Sequence, residues 1–315
     1  MTSTMTTADA SIRSILVPLD GSSRAEAVLP TVIALAGRLG ARVTLLHVLE
    51  QRPPPTIHGE RHLRDTAEAT RYLDALAPRL AEAGLAVETH VHADPEPDLA
   101  RSLADHSAEL GGQLVVLTAH GPGGIRGLLF GRMAQQVVRR GTTPLLLLRE
   151  PPPAGQLPPF ADVRIAALLD GDPAAEAVLP PVAALARGLG SAVHLVRAVP
   201  TGSTLPADRA ASGILVPSAT RAILDLEAET AGGYLDDVAA RLRAEGLTVT
   251  AAVVRGDPAA EAVAEAERAE ADLLALATHG RGGLGGAWSG SVGAKLLSRV
   301  RLPLLLVPAG SGRTD

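Results

Sequence analysis

At 315 residues, with 46% hydrophobic and 20% charged side chains, the chain is long enough for two domains of about 150 residues and too apolar to be disordered. A net charge of −5, with dispersed basic residues of which only Lys295 is a lysine, offers no electrostatic footprint for nucleic acid. The absence of cysteine excludes disulfides, thiolate catalysis and cysteine-based zinc sites.

The opening MTSTMTTADASIRS has neither a basic stretch nor an apolar core, so no secretion signal is expected there. No apolar run approaches the roughly 18 residues of a membrane helix, and a soluble, cytoplasmic protein is the expectation. SILVPLD (14–20) is a short apolar run ending in a turn signal, the mark of a buried strand. AEAVLPTVIALAGRLG (25–40) carries apolar residues at helical spacing and closes on Gly40, which reads as a C-cap. ARVTLLHVLE (41–50) reads as a second strand, followed by a loop, a helix over about 66–83 and a third strand, LAVETHVHA (85–93). A helix over 98–110, the strand QLVVLTAHG (113–121), a helix over 131–140 and the strand PLLLLR (144–149) complete the unit. The proline-dense REPPPAGQLPPFAD (149–162) then marks a semi-rigid linker.

Beyond the linker the chain repeats itself. DGSSRAEAVLPTVIALAGRLGARVTL (20–45) and DGDPAAEAVLPPVAALARGLGSAVHL (170–195) agree at 16 of 26 positions without a gap. Residues 119–148 match 278–307 in the same order, so the expected domains are 1–150 and 162–315, with 151–161 between them. RIAALLD, SAVHLVRAV, LTVTAAVV, DLLALATHG and PLLLVPA are the five strands of the second copy. Apolar strands alternating with helices predict an α/β fold, each copy a Rossmann-like, doubly wound five-stranded parallel sheet covered by helices on both faces. Ligands are expected at the carboxyl edge of such sheets.

One stretch at that edge is unusual. ATHGRGGLGGAWSGSV (277–292) leaves the fourth strand of the second copy and has six glycines in sixteen residues. Small residues at a strand-to-helix turn let backbone N–H groups converge on a phosphate, with the helix start adding positive partial charge. A plain tight crossover would use the same residues. The spacing Ala277, Gly280, then nine residues, then Gly290-Ser291 resembles the universal stress protein family, whose nucleotide-binding members carry glycine at the first position too. The resemblance extends over nearly the whole chain as two tandem domains, of the type also seen in adenine nucleotide α-hydrolases.

The family resemblance implies roles position by position. In the second copy Asp170 would meet the nucleoside and Ala198 would line the adenine pocket. Ala277, Gly280, Gly283 and Gly290 would bring backbone to the phosphates, with Ser291 and Val292 at the helix start. In the first copy the matching residues are Pro18, Asp20, Val48, Thr118, Gly121, Gly124, Gly131, Arg132 and Met133. The first copy keeps the nucleoside side and replaces the phosphate-end serine by Arg132; the second keeps the Gly-Ser turn. The second copy is therefore the favoured nucleotide site. The implied ligand is ATP, with Mg2+ as its companion. Members of the family dimerise through the last strand, which predicts an intramolecular pseudo-dimer through 145–149 and 304–308, and leaves a further homodimer open.

The other polar residues read more plainly. His120 and His279 are expected to bond local backbone, with no serine or cysteine nucleophile placed beside them. His58 and His62, with Glu60 and Asp65, would align for a metal only on a helix, and a solvated loop is the expectation. His90 and His92 share one strand face and are expected to be exposed. Asp20 and Asp170 fit both helix capping and nucleotide contact, and Trp288 is expected to pack. The resulting expectation is an ATP-binding stress-response regulator with at most slow hydrolysis. Two alternatives are an interaction module with degenerate sites and an adenylyl-transfer enzyme, for which neither copy has a substrate domain.

Overall fold

The computed structural model describes residues 11–57, 59–118, 128–148, 163–205, 217–279, 295–296 and 299–309. The linker, the segments 119–127 and 280–294, His58, His120 and Trp288 lie outside them, and for Gly131, Arg132 and His279 only the backbone is described.

The first half contributes strands β1 (Ser14–Pro18), β2 (Arg42–Glu50), β5 (Val87–Glu96), β6 (Leu114–Thr118) and β7 (Leu145–Leu148). A short hairpin, β3 (Thr56–Ile57) and β4 (Glu60–Arg61), interrupts the connection after β2. The second half contributes β8 (Arg164–Leu168), β9 (Ala192–Val199), β10 (Val249–Arg255), β11 (Leu273–His279) and β12 (Leu304–Ala309). All ten long strands form one sheet in the order β10-β9-β8-β11-β12-β7-β6-β1-β2-β5. Every pairing in it is parallel except the central one, where β12 runs antiparallel to β7 with Leu304, Leu305 and Leu306 opposite Leu147, Leu146 and Leu145. All six leucines are buried, so the two apolar last strands cover each other. The outer edges of the sheet are β5 and β10.

Alternation along the strands sends side chains to two helical layers. Ile15, Val17, Val43, Leu45 and Leu146 meet helices Leu29–Leu39 and Thr66–Ala81 on one face. Leu16, Leu46, Val48 and Leu147 meet helices Leu99–Glu109 and Leu128–Arg140 on the other. The second half repeats the arrangement with helices Leu179–Leu189 and Pro217–Ala244 on one face and Pro258–Arg268 on the other.

The expected helix over 25–40 is divided. A short helix, Ser23–Glu26, is capped by Ser22, whose side chain accepts from the Ala25 N–H, and a second helix runs Leu29–Leu39 with Pro30 in its first turn. Proline is accommodated there because the first-turn N–H groups have no intrahelical partner. Gly40 closes the helix in the left-handed conformation at φ 60°, as its position in the sequence suggests. In the second half a 3-10 helix, Pro173–Val178, replaces the short helix. The helix expected from 131 begins at Leu128, so Gly131 and Arg132 lie within its first turns rather than at its start.

Candidate functional site

In the first half β1 lies between β2 and β6, so the chain leaves β1 and β6 toward opposite sides of the sheet. Such a switch point opens a crevice at the carboxyl ends of the strands. A cleft of about 220 Å³ occupies it, bounded by Pro18 and Asp20 from the end of β1, Val48 and Glu50 from β2, and Thr118 from β6. Leu99 and Leu103 wall one side, Met133 and Ala134 another, and Ile57 and His62 reach in from the hairpin connection. Of the residues anticipated from the sequence, the cleft brings together Pro18, Asp20, Val48, Thr118 and Met133.

Asp20 does not cap a helix directly. Its Oδ1 accepts from the Ser22 N–H at 2.9 Å and the Ser22 hydroxyl at 2.7 Å, and Ser22 is the residue that caps. The carboxylate is therefore oriented at the strand end by a local turn. His47 alternates with Val48 and Leu46 along β2. Its Nδ1 donates to the Leu19 carbonyl at 2.7 Å, and burial holds its pKa below the ordinary imidazole value against the raising effect of that bond.

The connection after β2 corrects the expected solvated loop. His62 is only 1% exposed; Nδ1 donates to the Leu63 carbonyl at 2.7 Å and Nε2 lies 3.3 Å from Glu50 Oε1. Glu60 accepts from the Ser23 N–H at 3.1 Å and from its hydroxyl at 2.6 Å, while Asp65 caps helix Thr66–Ala81. Among the described residues no group of three histidine or acidic side chains is placed to hold a metal. Glu50 is a cleft residue that the sequence pattern did not single out, and His62, named there only as part of a loop, meets it because the folded hairpin brings the two together.

His90 and His92 are half-buried rather than exposed. They pack with His106 of helix Leu99–Glu109 at ring-centroid distances of 5.3 Å and 4.5 Å.

In the second half Asp170, Ala198 and Ala277 come to the equivalent strand edge. Asp170 Oδ1 accepts from the Asp172 N–H at 2.9 Å, and Asp172 caps the 3-10 helix. Arg197 takes the place of His47 and stacks 5.2 Å from the centre of the Tyr234 ring. Gly121, Gly124, Gly280, Gly283, Gly290, Ser291 and Val292 lie outside the described residues.

These features define a tandem doubly wound α/β protein with a cleft at the first domain's switch point. The sequence profile of the universal stress protein family matches residues 11–149 and 164–308, and the chain belongs to that family. A universal stress protein of Bacillus subtilis (strain 168), YxiE, is 26% identical over 147 residues, which is 43% of this chain and 97% of that protein. The crystal structure of a universal stress protein from Archaeoglobus fulgidus DSM 4304 superimposes with a TM-score of 0.65 at 16% identity, covering 94% of this chain and 98% of that one. A protein of unknown function from Pseudomonas aeruginosa PAO1 gives 0.64 at 17% identity, covering 95% and 93%. Both structural likenesses extend across the two halves. Among the described residues no helix is long and apolar enough to cross a membrane.

Proposed function

We propose that the chain is a nucleotide-dependent stress-response regulator whose first domain holds the nucleoside part of ATP. The observation that carries this reading is the cleft itself, which combines apolar walls from Leu46, Val48, Leu99 and Leu103 with the oriented carboxylate of Asp20. An aromatic base suits the walls, and Asp20 can accept from ribose hydroxyls. The start of helix Leu128–Arg140 follows β6 after a glycine-rich stretch of sequence and supplies N–H groups for phosphates. Mg2+ would accompany those phosphates. The reading requires no catalytic step.

The second domain is a second nucleotide site by its Gly290-Ser291 turn, the feature that favoured it in the sequence. Calorimetry with ATP on the wild type, Ala134→Trp and Gly290→Arg separates the two. Loss of binding in Ala134→Trp alone assigns the first domain, and loss in Gly290→Arg alone assigns the second. A folded wild type that binds no ATP overturns both assignments and favours an interaction module.

A further inference from the structure

At the amino end of the outer strand β10, away from the carboxyl edge, an exposed hydroxyl is joined to two buried polar groups. Thr250 lies opposite His194 in the register of β10 and β9, so both side chains share the face covered by helix Pro258–Arg268. His194 Nδ1 is 2.7 Å from Thr250 Oγ1, and Nε2 is 2.9 Å from Oε1 of Glu265 on that helix. His194 and Glu265 are each 8% exposed, whereas Thr250 is open to solvent.

The partners fix where the protons sit. A carboxylate only accepts, so Nε2 carries the hydrogen of the neutral ring and donates to Glu265. Nδ1 is then the acceptor, and the Thr250 hydroxyl donates to it. Arg268 Nη1 meets the other Glu265 oxygen at 2.7 Å, which compensates the buried carboxylate and holds it in place. A hydroxyl, a base within reach and a third group that orients the base are the parts of an activated nucleophile. The Gly256 N–H donates inward to the Val199 carbonyl, so alternation along β10 turns the Ala251 N–H to the open edge, where it can donate to an acyl oxygen. The fold does not require this arrangement. Glu88, Thr44 and His106 stand at the matching positions of the first half, and there His106 Nδ1 donates to the Ser102 carbonyl of its own helix.

We propose that Thr250 is a nucleophile that takes the acyl group of small activated acyl donors, with His194 as its general base and Glu265 as a positioning residue. Thr250 Oγ1 bonds to the acyl carbon while its proton passes to His194 Nδ1. The bond from that carbon to the leaving oxygen breaks, and the leaving oxygen keeps the electron pair and takes the proton from Nδ1. The product is a threonine ester, with nothing oxidised or reduced.

The test is exposure of the full-length protein to p-nitrophenyl acetate, with the acetylated residues mapped and timed by mass spectrometry. Thr250 is expected to be acetylated ahead of the other threonines, and Thr250→Ser to be labelled at the same position. His194→Ala should slow labelling of residue 250 by about a hundredfold, and free imidazole should restore it. Glu265→Gln should slow labelling by a smaller factor when His194 is present and leave the imidazole-restored rate of His194→Ala unchanged, because a positioning residue acts only through the ring. Thr250 labelled no faster than other exposed threonines overturns the proposal without any variant. Labelling as fast in folded His194→Ala as in the wild type overturns it as well.

Discussion

Lys295 donates from Nζ to Asp257 Oδ2 across 3.3 Å, and the same carboxylate caps helix Pro258–Arg268 by accepting from the Ala260 N–H at 3.0 Å. The first domain repeats the device with Asp98, which accepts from the Arg101 N–H at 3.2 Å and pairs with Arg140. In each half a helix start at the carboxyl edge is thus tied to chain that lies between the fourth and the last strand.

The Ala260 bond holds the Asp257 carboxyl below the ordinary carboxylate range, with Lys295 adding to it against desolvation. Asp257→Ala should cost about 1 kcal/mol and Asp257→Asn, which retains a cap, a few tenths. A depressed carboxyl stabilises above its unfolded pKa and loses that contribution as pH falls through the folded value. Urea titrations should therefore show the full difference between wild type and Asp257→Ala at neutral pH and a shrinking one as pH falls below the unfolded carboxyl value of about 3.9.

Acid should weaken the first domain for a second reason. Burial holds His47 and His90 below 6.5, and His106 and His92 push His90 further down while Glu109 opposes them. Below 6.5 the unfolded chain then binds more protons than the folded one. Stability is full above that pH and declines as pH falls toward the folded values. Denaturant midpoints measured from about pH 7.5 down to about pH 5 should fall, and His90→Gln should remove part of the fall. Equal slopes in wild type and variant would exclude a contribution from His90.

Much of the fold is visible in the sequence because it is local. The apolar run SILVP specifies a buried strand, Gly40 marks a helix end, and the repeat announces two copies of one sheet. The break before Leu29 is hidden because Pro30 sits where a helix start tolerates it, inside an unbroken apolar period. The cleft is only half visible. Asp20 and Val48 carry family spacing, whereas Glu50 and His62 meet across twelve residues through a hairpin that no periodicity reports. His90 and His92 share a face as alternation requires, but their cover, His106, comes from a separate helix.

The central strand pair should control whether the two halves unfold together. Leu305 lies opposite Leu146 and both are buried. Leu305→Ala should cost about 2–5 kcal/mol, the range for a buried leucine. Leu305→Asp places a carboxylate among leucines and should separate the halves. Calorimetric melting is the check: a single transition in wild type should split in Leu305→Asp, and an unsplit transition of unchanged midpoint would show that β7 and β12 do not couple the domains.

Gly21 tests the anchorage of the hairpin connection. It has φ +89°, and a Cβ built on it would meet Leu63 Cδ1 at 2.8 Å. Gly84 has a similar φ of +82° with nothing within 4 Å. Alanine at Gly84 should therefore carry backbone strain alone, whereas alanine at Gly21 carries strain and also displaces Leu63, next to the His62 that holds Glu50. Gly21→Ala should be the more destabilising, by more than about 1 kcal/mol in total, with faster amide exchange over residues 56–64. Equal costs at the two positions would mean that Leu63 moves aside freely and that the hairpin connection is not anchored through Gly21.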